Sequence, residues 1–488
     1  MTGGVGKTWG RALLLQRRGD GKVGRFVAEV AVVATAMVAA VLAAVFAAMV
    51  ATVATSPPLA AQPAMPALVD ARNVYSESAA GKISPAVAGH LARVYVPNLR
   101  SNNVYVIDPA SLKVIDTFKV GIGPQHIVPA WDLRTLWVTN NAEGRTDGSL
   151  TPLDPRTGKP GKPIPVDDPY NMYATPDGQS AIVVAEARKR LDFRDPRTMA
   201  LQYAIDTPGC PGINHADFSI DGRFAIFTCE FSGTLVKIDL ASRKVLGYLQ
   251  LKMPATRYKE VPNAPRTAAG KVWEPGESEI CTAKKGMPQD IRISPDGKRF
   301  YIADMHADGV HIVDAETFTQ VGFITTGVGA HGLYPSRDGK RFYIADMHAD
   351  GVHIVDGDSF TQVGFIATGI GAHGLYPSRD GKKLYVANRG SHKIHGSRLG
   401  NGGVVVIDFA TEKIVARWPV LGGGSPDMGN VSADGKHLWL AARYDDVVYR
   451  FDTGNGEVVQ IKVGSEPHGL TVWPQPGRYS LGHTGNMR

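Results

Sequence analysis

From Ala92 to Pro474 the chain alternates short apolar runs with polar turns. Within the runs, side chains of one kind recur at every second position: Val104 and Val106 bracket Tyr105, the period of a β-strand with two distinct faces. Asp221-Gly222, Asp296-Gly297 and Asp434-Gly435 punctuate the runs and supply the positive φ that tight hairpins need. The whole pattern returns at intervals of about 40 residues, the mark of a solenoid or a propeller. Each unit reads as an Asp-Gly turn, an apolar strand, a polar loop, a strand of VxVID type, and a further strand ending in a Gly-rich segment before the next apolar run. Units begin near Ala92, Asp132, Asp177, Asp221, Asp296, Asp338, Asp380 and Asp434, which makes eight.

Two units are almost the same. Residues 296 to 337 align with 338 to 379 without a gap and differ at five positions, three of them at Ala315, Glu316 and Thr317 against Gly357, Asp358 and Ser359. The stretch ADMHADGVHIVD therefore occurs twice, as after an in-frame duplication. A single four-stranded blade cannot hide both of its apolar faces. Closing eight blades into a ring hides all of them and leaves only short edges.

Composition agrees with strands and turns: 43% hydrophobic residues, with 55 glycines and 32 prolines among 488 positions. The exception is the N-terminus. Lys7, Arg11, Arg17, Arg18, Lys22 and Arg25 precede an apolar run from Phe26 to Ala54 whose only charge is Glu29. This predicts an export signal with a small-residue cleavage site at Ala61, or a membrane anchor if the run is kept. Either way residues beyond 61 are expected outside the cytoplasm, because the basic flank stays inside. Residues 1 to 61 hold six basic and two acidic side chains, so most of the formal charge of +7 belongs to this segment. The remainder is only mildly basic, which argues against a nucleic-acid partner. TGGVGKT at Thr2 to Thr8 looks like a phosphate loop, but no strand precedes it to anchor one.

The segments RVYVPNLRSNNVYVIDPASLKVIDTFKVG and GGVVVIDFATEKIVARWPV resemble the YVTN-repeat β-propellers, relatives of the cytochrome d1 propeller domain. The resemblance covers about residues 92 to 474. It implies an all-β, closed propeller of four-stranded blades, eight here, with seven as the alternative because seven is usual in that family. It also implies that each unit supplies three strands of one blade and the innermost strand of the next. HGLTVWP would then complete the blade opened by RVYVPN, with residues 62 to 91 as a linker and extension and 475 to 488 as a tail near the closure. Function does not follow from the resemblance, because the family holds binding proteins, surface proteins, lyases, lactonases and haem enzymes.

With that strand order, the residues entering each inner strand surround one mouth of the central channel. Gln125, Tyr170, Asn214, Gln289, His331, His373, Asp427 and His468 take one equivalent position, and His126, Asn171, His215, Asp290 and Met428 take the next. A wet channel is polar by default, so a hydrated rim is one reading. A ligand site at His126, His215, Gln289, Asp290, His331, His373, Asp427 and His468 is the other. Within it, His331, His373, His468 and Asp427 carry the donor types of a divalent first-row metal site. A non-covalent haem is a further expectation. CxxCH is absent, which argues against c-type haem, and GxSxG and HExxH are absent as well. His311 and His353 on strands, and Asp304 and Asp346 at strand ends, are expected to be structural, the aspartates capping loop amides. Glu186 and Glu230 fill the same place as those aspartates.

Two insertions, Met253 to Lys285 and Arg389 to Gly403, fall on the same side and are expected to form a lid. Of Cys210, Cys229 and Cys281, the first two are expected to pair, because the hairpin about Asp221-Gly222 brings them into range. The functional expectation is an exported scaffold that binds a ligand or protein through its channel mouth. The alternative is a metal- or haem-dependent enzyme or redox protein using the His ring.

Overall fold

A computed structural model describes residues 66–142, 145–253, 285–326, 329–392, 400–483 and 487–488. The N-terminal apolar run, Cys281, nearly all of the 253–285 insertion and part of the 389–403 insertion lie outside them. The described chain is all-β apart from three short 3₁₀ turns, and its strands form eight sheets, each one blade. Seven blades are filled in sequence order from the inside outwards; in blade 2 the outer strand is split into Lys159–Pro160 and Ile164–Pro165, where prolines cannot extend the ladder. Blade 1 is composite. Arg93–Asn98, Asn103–Asp108 and Lys113–Lys119 supply its outer part, and Thr471–Trp473 its innermost strand. Val94 pairs with Val472 and Arg93 with Trp473, so the ring is closed by the two ends of the repeat region.

The alternation read from sequence places its apolar residues between blades. Eight buried clusters fill the eight inter-blade seams, one between blades 8 and 1 with Val94, Val96, Trp439 and Val472, another between blades 3 and 4 with Phe193, Phe218 and Phe227. Cys210 and Cys229 are disulfide-bonded inside the latter seam.

Residues outside the repeats are not loose appendages. Val74 is buried between blades 4 and 5, Tyr75 donates its hydroxyl to the carbonyl of Ile293 (3.0 Å), and Val87 is buried between blades 1 and 2. The N-terminal extension thus spans the end of the channel where the inner strands finish. The C-terminal tail joins it there: Ile83 bridges Gly477, while Leu481 accepts from Ala174 N (3.0 Å) and His483 N donates to Met172 O (3.0 Å). The tail therefore runs past the seam to the inner edge of blade 3. Arg379 ties both segments to the ring, donating to the carbonyls of Ser78 (3.2 Å), Ser432 (3.1 Å) and Val431 (2.6 Å) and to Gln475.

Candidate functional site

The position predicted from the repeats exists as a structural one. Gln125, Tyr170, Asn214, Gln289, His331 and His373 are each the second residue of an inner strand: Pro124–Pro129, Pro169–Ala174, Ile213–Phe218, Pro288–Ile293, Ala330–Pro335 and Ala372–Pro377. The ladder to the second strand slips at or beside this point in all six blades. A bulge adds an unpaired residue and re-aims side chains, which is how two successive residues per strand reach the channel. Asp427 and His468 precede the shorter inner strands Gly429–Val431 and Thr471–Trp473.

The sequence predicts an open rim, whereas these side chains form the channel wall. Gln125, His126, Asn171, Asn214, Gln289, His373 and Asp427 are all buried, and His215, Asp290, His331 and His468 are half-buried. Imidazoles of neighbouring blades pack against one another around the wall. The rings of His331 and His373 lie 4.1 Å apart, those of His126 and His468 5.1 Å apart. His483 of the tail inserts between His126 (5.0 Å) and His215 (4.9 Å). Asn171 Nδ2 sits 3.5 Å from His215 Nδ1.

Burial holds His126, His215, His331 and His468 well below the ordinary imidazole range, with neighbouring cations adding to the effect. His373 is lowered by burial as well, but Asp427 pulls it partly back. Its Nδ1 lies 2.9 Å from Asp427 Oδ1, and since a carboxylate can only accept, the proton of neutral His373 belongs on Nδ1. Asp427 also faces Arg389 Nε at 3.5 Å. Burial pushes the Asp427 carboxyl up, but Arg389 and His373 outweigh it and hold it well below the carboxylate range.

His331, His373, His468 and Asp427 are therefore not gathered as one metal-sized set. Asp427 is engaged by His373 and by a permanent cation, whose charge opposes a metal ion. Among the described residues no group of three or more His, Cys, Asp or Glu side chains is arranged to hold a metal. His311 and His353 sit inside their blades, Nε2 at 3.2 Å from Asp304 and 3.4 Å from Asp346. Asp304 accepts from the amides of Met287, His306 and Ala307, and Asp346 from those of His348 and Ala349, so both cap loops.

Below the imidazoles the channel widens into a cavity of about 290 Å³. His215, Asp290, Arg292, His331 and His373 supply its polar wall, and Leu333, Tyr334 and Tyr376 its apolar one. Tyr75, Gln475, His483 and Met487 close the floor. Asp290 Oδ1 lies 3.5 Å from Arg292, and burial raises the Asp290 carboxyl. Arg292 and the tyrosines were missed in the sequence. Strand alternation from Asp290 would have pointed to Arg292, but His483 carried no repeat signal.

Fold and site define an eight-bladed β-propeller with a polar, imidazole-lined channel. The family model of the YNCE-like beta-propeller matches residues 352–476. No curated protein matches the chain in sequence. Among solved structures, the dihydro-heme d1 dehydrogenase NirN, in complex with DHE, is similar over 81% of this chain and 77% of its own, at 14% identity and a TM-score of 0.57. A candidate 6-phosphogluconolactonase of Bacteroides fragilis is similar over 71% of this chain and 97% of its own, at 17% identity and a TM-score of 0.50. At such identities the likeness is one of fold. The resemblance to propellers related to the cytochrome d1 domain is carried by these findings.

Proposed function

We propose that the protein is an exported propeller that binds a small ligand in its central channel, without turning it over. The cavity carries this reading. It is closed at one end by the protein's own terminal segments, and its volume falls near the lower end of the roughly 300–1,000 Å³ typical of small-molecule sites. Apolar walls with a few convergent polar groups suit a compact, partly aromatic or aliphatic molecule held by directed hydrogen bonds. Export follows from the basic flank and apolar run of residues 7 to 54, and makes the ligand extracytoplasmic.

Native mass spectrometry of protein from the exported fraction tests the reading. A bound small molecule is expected, and Leu333→Trp, which fills the cavity, should abolish it. Ligand retained in full by that variant, or a reporter fused after Arg488 that is active in the cytoplasm, would refute it.

A second reading, a redox protein holding a non-covalent haem or a single metal ion, is favoured by one observation. Nδ1 of His126 and Nδ1 of His468 are buried and have no hydrogen-bond partner among the described residues. Such nitrogens could serve as ligands, and the group would supply the electron chemistry while the channel kept water away. An absorption spectrum and elemental analysis of the same sample decide it.

A further inference from the structure

The cavity wall carries more positive charge than it pairs. Its charged side chains are Arg292, Arg337 and Arg379 against Asp290 alone. The three arginines lie on or just after the inner strands of blades 5, 6 and 7, which are neighbours in the ring. Asp290 answers Arg292, at 3.5 Å. The imidazoles of His215, His331 and His373 are kept neutral by burial and offset nothing.

Arg337 and Arg379 occupy one position of the repeat, the residue before the Asp-Gly turn. Elsewhere that position holds Pro176, Ile220, Pro295 and Ala433, so the arginine belongs to the two duplicated units. The aspartates that follow are turned into their own hairpins: Asp338 accepts from Ser336 Oγ (2.7 Å) and Lys340 N (3.1 Å), Asp380 from Ser378 Oγ (2.6 Å) and Lys382 N (3.1 Å). Among the described residues no carboxylate pairs with either arginine. Arg379 meets neutral acceptors, on Ser78, Val431, Ser432 and Gln475, and burial together with Arg337 pushes its guanidinium down to about 10. Two like charges in a partly enclosed, largely apolar cavity are costly unless an anion joins them. Donors are left over as well. Of the five N–H groups of a guanidinium, Arg379 places four on those acceptors, while Arg337 is bonded to the Arg379 carbonyl, at 3.5 Å, and to Tyr334.

We propose that the channel ligand is a carboxylate, a compact molecule whose carboxyl group lies against Arg337 beside Arg379 and whose aromatic or aliphatic body lies against Leu333 and Tyr376. This rests on the channel reading above and names the charge of its ligand. A planar carboxylate matches the guanidinium fork with two parallel bonds, and such charge-assisted bonds are strong where water is scarce. An organic cation would instead face three arginines.

Calorimetry with benzoate on extensively dialysed protein tests this, with benzamide as the uncharged molecule of the same shape. Benzoate should bind at least about tenfold more tightly than benzamide. Arg337→Met should remove that preference, Arg337→Lys should restore part of it, and Leu333→Trp should abolish binding of both. If Arg337→Met fails to fold, the wild-type preference and its loss in Leu333→Trp remain as readouts. Equal binding of benzoate and benzamide, a preference unchanged in Arg337→Met, benzoate binding that survives in Leu333→Trp, or displacement of benzoate by equimolar phosphate would each overturn the proposal. A co-purified molecule without an acidic group, lost in Leu333→Trp, would overturn it and leave the channel reading standing. A wild-type protein that carries no small molecule and takes up neither benzoate nor benzamide would overturn both.

Discussion

Residues 296–337 and 338–379 are near-copies, yet they do different things. Inside each copy the contacts repeat. His311 lies against Asp304 and against the ring of Phe323 at 4.9 Å; His353 lies against Asp346 and against Phe365 at 4.8 Å. Towards their neighbours the copies diverge. Both arginines line the cavity, but Arg379 clamps the extension, the tail and blade 8, whereas Arg337 donates to the Arg379 carbonyl, at 3.5 Å, and bonds to Tyr334 of its own blade. His373 meets Asp427, whereas His331 meets His373. Sequence sets what a blade is; place in the ring sets what its ends touch.

Deleting residues 338–379 breaks the comparison most severely. The junction joins Arg337 to Asp380 in register, so Arg337 should inherit the place of Arg379, and His331 that of His373. A soluble seven-bladed ring with β-type circular dichroism and a single cooperative melt is expected, and an insoluble product would show that place alone does not assign the role. A smaller effect should come from single residues. Arg379→Ala leaves several buried carbonyls without donors and should cost about 3 kcal/mol, against under about 1 kcal/mol for Arg337→Ala, as chemical denaturation would report. Equal losses would erase the distinction.

The mildest probe is pH. His331 is well below the imidazole range in the folded state and near 6.5 unfolded, so the unfolded chain takes up the proton first. Its contribution is complete above about pH 6.5 and is lost as pH falls, by at most about 1.4 kcal/mol per unit. Melting between pH 7.5 and 5 should therefore flatten in His331→Gln, and less so in His373→Gln, because Asp427 restores part of the affinity of His373 for its proton. Identical slopes would contradict the roles assigned to the two imidazoles.

What was legible in the sequence is what repeats. Eight units follow from period and turn chemistry, while the strand order, the composite blade and with them the shared position of Gln125, Tyr170, Asn214, Gln289, His331 and His373 follow from the resemblance to the YVTN-repeat propellers. The depth of that position was not, since burial depends on the narrowness of the finished channel and on the bulges beside it. Nor could a repeat reveal contacts made once. His483 reaches His126 and His215 from a tail with no counterpart in any blade, and Arg379 differs from Arg337 through partners far away in the chain, Ser78 and Gln475 among them.

The composite blade also governs when the molecule can become whole. Val94 waits for Val472, which emerges last of all the strands, so the first blade has an unsatisfied inner edge for as long as the chain is being made. Closing so long a loop is entropically demanding and puts ring closure late, after the local hairpins of the seven other blades have formed. Until then the intermediate is an open arc with a bare strand edge, prone to pairing with another chain. The last strand is thus both latch and clock: folding speed should depend on residues 471 to 473 far more than on any strand of the duplicated pair.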